Sequence, residues 1–163
     1  MITVPPAIIT QMQDHAVAWY PGECCGLLFA RAGSDEAVRA VCMDNLADKL
    51  HARDPEGFPQ TAREYFSLNE RQAARHVEEA TARGERWLAI FHSHIDCGAY
   101  FSTEDQAMAA PGGVPVDPSL WHVVMEVWAD GIRIARAFKW DGSAYAGVVL
   151  PGFERPSPRR EER

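Results

Sequence analysis

The stretch Arg86-Trp-Leu-Ala-Ile-Phe91-His92-Ser-His94-Ile-Asp-Cys-Gly-Ala-Tyr-Phe101-Ser102-Thr-Glu-Asp105 decides how this chain is read. Trp87 to Phe91 is almost wholly apolar, as expected for a central strand buried on both faces. It runs directly into His92 and His94. Alternate side chains of a strand share a face, so the two imidazoles are expected to point the same way. Ser102 then stands three residues before Asp105, with the spacing of an N-cap and the N3 position of a helix. Two histidines from a strand and a carboxylate from a helix start make a candidate metal site. Zinc takes imidazole and carboxylate ligands, and a catalytic zinc keeps its fourth position for water.

Upstream, Pro5-Pro6 can open a helix, because proline is tolerated in the first turn. Ile9, Met12, Ala16 and Trp19 recur at helical spacing, and Pro21-Gly22 ends the pattern. Glu23 follows, immediately before the apolar run Cys24 to Ala30, which reads as a strand. Ala37 to Met43 reads as its hairpin partner. Residues 44–63 show no clear period and are expected to form a long loop. Ser67-Leu-Asn-Glu70 matches a capping box before a helix that Gly84 stops. Downstream, Pro111-Gly-Gly113 ends the helix that carries Asp105. Leu120 to Trp128, Ile132 to Trp140 and Ser143 to Leu150 read as strands joined at Asp130-Gly131 and Asp141-Gly142.

The expected architecture is therefore one α/β domain over residues 1–150, with a mixed sheet of about six strands flanked by helices. Residues 151–163 contain three prolines and seven charged residues without a period, and are expected to be a disordered tail. A chain of 163 residues with 47% apolar residues suits one domain with a sizeable core. The formal charge of -7 argues against nucleic acid or an anionic membrane as partner. No apolar run has the length of a membrane span, and no signal peptide is visible. The four cysteines, Cys24, Cys25, Cys42 and Cys97, form no CxxC pair. Reduced thiols in a cytoplasmic protein are the simpler account.

Each signal is weak alone, since an isolated HxH or Ser-x-x-Asp is common. Together the residues resemble the JAMM motif of the MPN (Mov34/PAD-1) metalloproteases. That motif is a glutamate, a variable gap, His-x-His, ten residues and an aspartate. Here Glu23 precedes His92-Ser93-His94, and ten residues separate His94 from Asp105. Ser102 stands where the family has a serine, and Pro-Gly-Glu23-Cys-Cys-Gly-Leu-Leu resembles the run around the family's glutamate. One departure is Ile95, where the family usually has proline.

The resemblance implies a cytidine-deaminase-like MPN fold and a zinc ion held by His92, His94 and Asp105. It implies Glu23 as the base for zinc-bound water and Ser102 as the oxyanion donor. The implied reaction is hydrolysis of a peptide or isopeptide bond after the Gly-Gly of a ubiquitin-like protein. A stand-alone chain of this size resembles prokaryotic relatives acting on sulfur carriers of the ThiS/MoaD kind. A general small-peptide peptidase and a catalytically inert scaffold are the alternatives, and the oligomeric state, homodimer included, is left open. His92-Ser-His94-Ile-Asp96 also matches the start of a metallo-β-lactamase signature, but position 97 is cysteine. The Pro-Cys-x-x-Cys of zinc deaminases is missing, and 163 residues are too few for a TIM barrel. His15, His51 and His76 are expected at the surface, His122 on a strand, and Cys97 beside the metal.

Overall fold

The structure is a computed structural model describing residues 1–157. Its elements in chain order are α1 (Pro6–Trp19), β1 (Cys25–Arg31), β2 (Ala37–Met43), α2 (Ala47–Arg53), α3 (Glu70–Ala82), β3 (Glu85–Ile95), α4 (Thr103–Ala109), β4 (Trp121–Trp128), β5 (Gly131–Trp140), β6 (Tyr145–Leu150) and β7 (Arg155–Pro156). The sheet order is β2-β1-β3-β4-β5-β6, with β7 added to β5. Every pairing is antiparallel except β3 with β4. This is the mixed α/β sheet expected, with a seventh strand.

The central strands are buried on both faces, which explains their unbroken apolar runs. Cys24, Leu28 and Ala30 pack with Ile8, Met12 and Ala16 of α1, and with Leu88 and Phe91. Cys25, Leu27 and Phe29 turn to the opposite face, against Phe66 and against Ala73 and Ala80 of α3. Farther along that second face, Phe101, Val124 and Phe138 form a smaller apolar group.

The parallel β3–β4 pair positions the site. Parallel neighbours cannot be joined by a tight turn, so the chain must cross over the sheet between them. The segment from Asp96 to Leu120 makes that crossing and carries α4.

Four expectations are corrected. The region 44–63 is not a featureless loop: it holds α2, whose period is too short to recognise. The N-cap of α3 is Asn69, whose side chain accepts from Gln72 N–H, rather than Ser67. His15 is half-buried, with Nε2 at 3.0 Å from the carbonyls of both Cys25 and Met43. The tail is part of the fold as far as it is described. Phe153 is 1% exposed, and Arg155–Pro156 pairs with β5. The rest of the expected disordered tail, 158–163, lies outside the described residues.

Candidate metal centre

His92 and His94 both lie within β3, which runs on to Ile95. Ser93, between them, faces the other way and accepts from Cys24 N–H at 2.8 Å. The two imidazoles share a face, their ring centroids 5.1 Å apart. Phe66 stacks on His92 at 4.4 Å, and Tyr100 meets His94 edge-on at 4.9 Å.

The crossover brings Asp105 to them. Ser102 caps α4: its Oγ accepts from Asp105 N–H at 3.0 Å, while Ser102 N–H donates to Asp105 Oδ2 at 3.0 Å. This reciprocal capping box fixes the carboxylate. Asp105 Oδ2 then lies 3.3 Å from His92 Nε2 and 3.2 Å from His94 Nε2.

Three observations fit this group to a divalent metal. Its donor atoms all lie within 4.8 Å of one another. Metal–ligand bonds of about 2.0–2.1 Å in a tetrahedron separate neighbouring donors by roughly 3.4 Å, close to the two His–Asp spacings. His94 Nδ1 faces Gly98 O at 2.9 Å, so that nitrogen carries the proton and Nε2 keeps its lone pair. His92 Nε2 is buried with no hydrogen-bond partner, a cost that a ligated metal removes.

The charge states agree. Burial holds His92 below its ordinary pKa, hence neutral. Burial works to raise the Asp105 carboxyl but is outweighed by the histidines and Ser102 N–H, which hold it well below the usual carboxylate range. A neutral imidazole and an ionised carboxylate are what a metal requires of such ligands.

Glu23 is 5% exposed and lines the same cleft as His94, Ser102 and Asp105. Burial, and then the negative charges of Asp105, Glu104 and Glu64, push its carboxyl up to about 9. It precedes β1 by two residues, so its backbone is secured outside the sheet. Glu23 N–H donates to Ala62 O at 2.6 Å, and Glu23 O accepts from Asn45 Nδ2 at 2.9 Å. Asn45 is 3% exposed. It also donates to Tyr65 O and accepts from Ala47 N–H and Ser67 N–H.

All five expected site residues, Glu23, His92, His94, Ser102 and Asp105, thus meet, although a long stretch of chain separates Glu23 from the rest. Sequence reasoning missed the supports: Asn45, Tyr20, Arg63 and Asp96. Asp96 leaves β3 with φ +55, a left-handed conformation that aspartate tolerates. It accepts from Tyr20 Oη at 2.8 Å and from Arg63 Nη2 at 2.9 Å. No local pattern reveals such contacts, since each joins distant segments. Cys97 lines the cleft, with Tyr100 Oη 3.8 Å from its sulfur.

The fold and the His-His-Asp group together define an MPN-type domain able to hold a metal ion. The family model described as prokaryotic homologs of the JAB domain matches residues 5–139, and the chain belongs to that family. Among solved structures, a protein of Desulfitobacterium hafniense is similar with 25% identity and a TM-score of 0.69, over 92% of this chain and 91% of its own. A Salinibacter ruber protein follows at 20% identity and TM-score 0.59, covering 96% of this chain and 95% of its own. A JAB1/MPN domain protein of Archaeoglobus fulgidus shares the fold at 12% identity and TM-score 0.50, over 91% and 94% of the two chains. A search of curated protein sequences finds no match. No helix among the described residues is long and apolar enough to cross a membrane.

Proposed function

We propose that this protein is a zinc-dependent metallopeptidase or isopeptidase. Its bond of choice would lie at the C-terminal Gly-Gly end of a ubiquitin-like or sulfur-carrier protein of the ThiS/MoaD kind. The observation that carries the reading is the partnerless His92 Nε2 beside Asp105 and His94, with a buried Glu23 lining the same cleft. Bound zinc would supply Lewis acidity and a water acidic enough to ionise near neutral pH.

The chain's residues would do the rest. His92, His94 and Asp105 hold the ion. Glu23 takes a proton and returns it to the leaving amine. A carboxyl raised by burial is a poor base alone, but a nearby dication favours its ionised form and brings it toward the working range. Ser102 Oγ has one lone pair engaged by Asp105 N–H, which leaves its O–H to donate to the developing oxyanion. A cleft of about 330 Å³ with Tyr65 and Tyr100 in its walls favours an extended tail with small residues over a folded loop. The family's prokaryotic membership supports a carrier protein over polyubiquitin.

The test is metal analysis combined with cleavage of sulfur-carrier proteins bearing C-terminal extensions, read by intact mass. One zinc per chain, cleavage after Gly-Gly, and loss of cleavage on chelation or in Glu23→Gln are expected. Zinc-loaded protein that cleaves none of them would sink the reading. Loss of zinc in Glu23→Gln would make Glu23 a ligand instead of a base.

A further inference from the structure

Of the buried histidines, His92, His94 and His122, only His122 has no part in the proposed reaction. It lies on β4 opposite Ile90, and the next residue but one, Val124, lies opposite His92. Side chains two residues apart on a strand share a face, so His122 and His92 stand diagonally on one side of the sheet. The His122 ring packs against Phe101 and Tyr145, with centroids 5.0 and 5.5 Å away. A phenylalanine would serve that packing as well. Neither ring nitrogen of His122 makes a hydrogen bond among the described residues, and nor does His92 Nδ1. The buried side-chain N and O atoms without a partner there are His92 Nε2, Trp121 Nε1 and Tyr145 Oη. The His122 nitrogens and His92 Nδ1 are unbonded yet not among these, so each touches space that water can enter.

That space is a cavity of about 80 Å³ walled by His92, Asp105, His122, Phe66, Ile90 and Phe101. It backs onto the metal centre. Asp105 alone lines both the cavity and the cleft, while His94 lines the cleft and His92 the cavity. The volume is ample for a water, and His92, Asp105 and His122 give it the polar partners that a buried water needs. A ligand histidine ordinarily donates its second ring N–H, which fixes its tautomer and direction. His94 does so to Gly98 O at 2.9 Å. His92 has Phe66 stacked on its face, but no protein acceptor for Nδ1 among the described residues.

We propose that His122 is a positioning residue for the candidate metal ligand His92, joined to it by one water in this cavity. The water accepts from His92 Nδ1–H and donates to a ring nitrogen of His122. Its second hydrogen is free for Asp105 Oδ1, since the carboxylate's hydrogen bonds and ion pairs all fall on Oδ2. The link holds the proton on Nδ1, keeps the Nε2 lone pair for the metal, and stops the ring from turning against Phe66. This rests on the metal-binding part of the reading above and does not depend on which bond is hydrolysed.

The test measures zinc affinity, by competition with a chelator, in the unsubstituted protein, His122→Phe and His122→Gln. Phenylalanine keeps the packing and removes the acceptor, and glutamine supplies an acceptor again. His122→Phe is expected to bind zinc about ten- to a hundredfold more weakly, the usual effect of losing such a partner. Its metal-free form should unfold at a temperature no lower than that of the unsubstituted protein. A packing role alone would not give that combination. His122→Gln should recover most of the affinity, and its cobalt(II)-loaded form should keep the visible absorption bands that shift in His122→Phe. Equal zinc affinity in His122→Phe overturns the proposal, as does a loss that glutamine does not repair at all. If His122→Phe does not fold, Ala109→Leu decides, because it fills the cavity from α4 and leaves His122 in place. Zinc affinity unchanged in that variant overturns the proposal, and a loss like that expected for His122→Phe supports it. No zinc uptake by the unsubstituted protein would remove the metal reading itself, whereas equal affinity in His122→Phe removes only the positioning role.

Discussion

Ser102 shows how one side chain is read differently at the level of stability and of chemistry. As an N-cap its oxygen satisfies Asp105 N–H, and replacing it by alanine should cost about 1 kcal/mol in urea denaturation. If its hydroxyl also meets the oxyanion, the turnover of Ser102→Ala should fall by roughly a hundredfold, far beyond the stability effect. A rate loss no larger than the loss of folded protein would leave the residue a cap. His122 lies 8% exposed beside Phe101 and Tyr145. Burial lowers its pKa from 6.5 to about 4. The unfolded chain therefore binds a proton that the folded chain refuses between these values. Stability is unaffected by this group above 6.5, falls as pH drops from 6.5 toward 4, and loses up to about 3 kcal/mol. The slope of unfolding free energy against pH in that window should be shallower in His122→Phe. Parallel curves for the two proteins would show that another group controls acid sensitivity.

Among elements, β1 and the segments that brace its entry matter most. Gly26 faces Phe91 across the β1–β3 pair, and a Cβ there would overlap the Phe91 ring and the Val41 carbonyl. Gly26→Ala should destabilise the protein by about 2 kcal/mol, measured by urea unfolding. An unchanged midpoint would mean that the strands shift freely to make room. Asn45 joins the entry of β1 to α2 and to the chain before α3, with all four of its amide positions engaged. Asn45→Ala strands those backbone groups and should cost about 3 kcal/mol or more. Asn45→Asp should not rescue it, since an ionised carboxylate cannot donate to Glu23 O and Tyr65 O. On the proposed reading, zinc affinity in Asn45→Asp should stay close to that of the unsubstituted protein, because the candidate ligands lie on β3 and α4. A large loss of zinc would show that the brace supports the whole centre and not only the wall bearing Glu23.

At the scale of the whole molecule, the last described residues extend the sheet and cover part of its core. Phe153 is fully packed, its carbonyl accepts from Gln13 Nε2 at 3.1 Å, and β7 lies beside β5 where Gly131 leaves room for its backbone. Truncation after Leu150 should therefore lower stability by about 3 kcal/mol or more, the cost of deleting a buried phenylalanine. Phe153→Ala should reproduce most of that loss in thermal unfolding. A truncated chain as stable as the full one would restore the reading of 151–157 as a loose tail. The sequence by itself determined the six longer strands, because alternation and apolar runs are local signals that burial imposes on each element. It also determined the types and spacing of the candidate ligands, because His92, His94 and Asp105, with the capping Ser102, lie on one short stretch whose geometry follows from strand and helix periods. Glu23 is named from the sequence only through the family motif; the tertiary structure brings it into this cleft, shows Asn45 and Ala62 holding it there, and pairs Arg63 with Asp96. It also decided that Phe153 is core. These contacts join residues far apart in the chain. They arise from the β1–β3 pairing, from the parallel β3–β4 crossover and from the addition of β7 to β5, which no local pattern encodes.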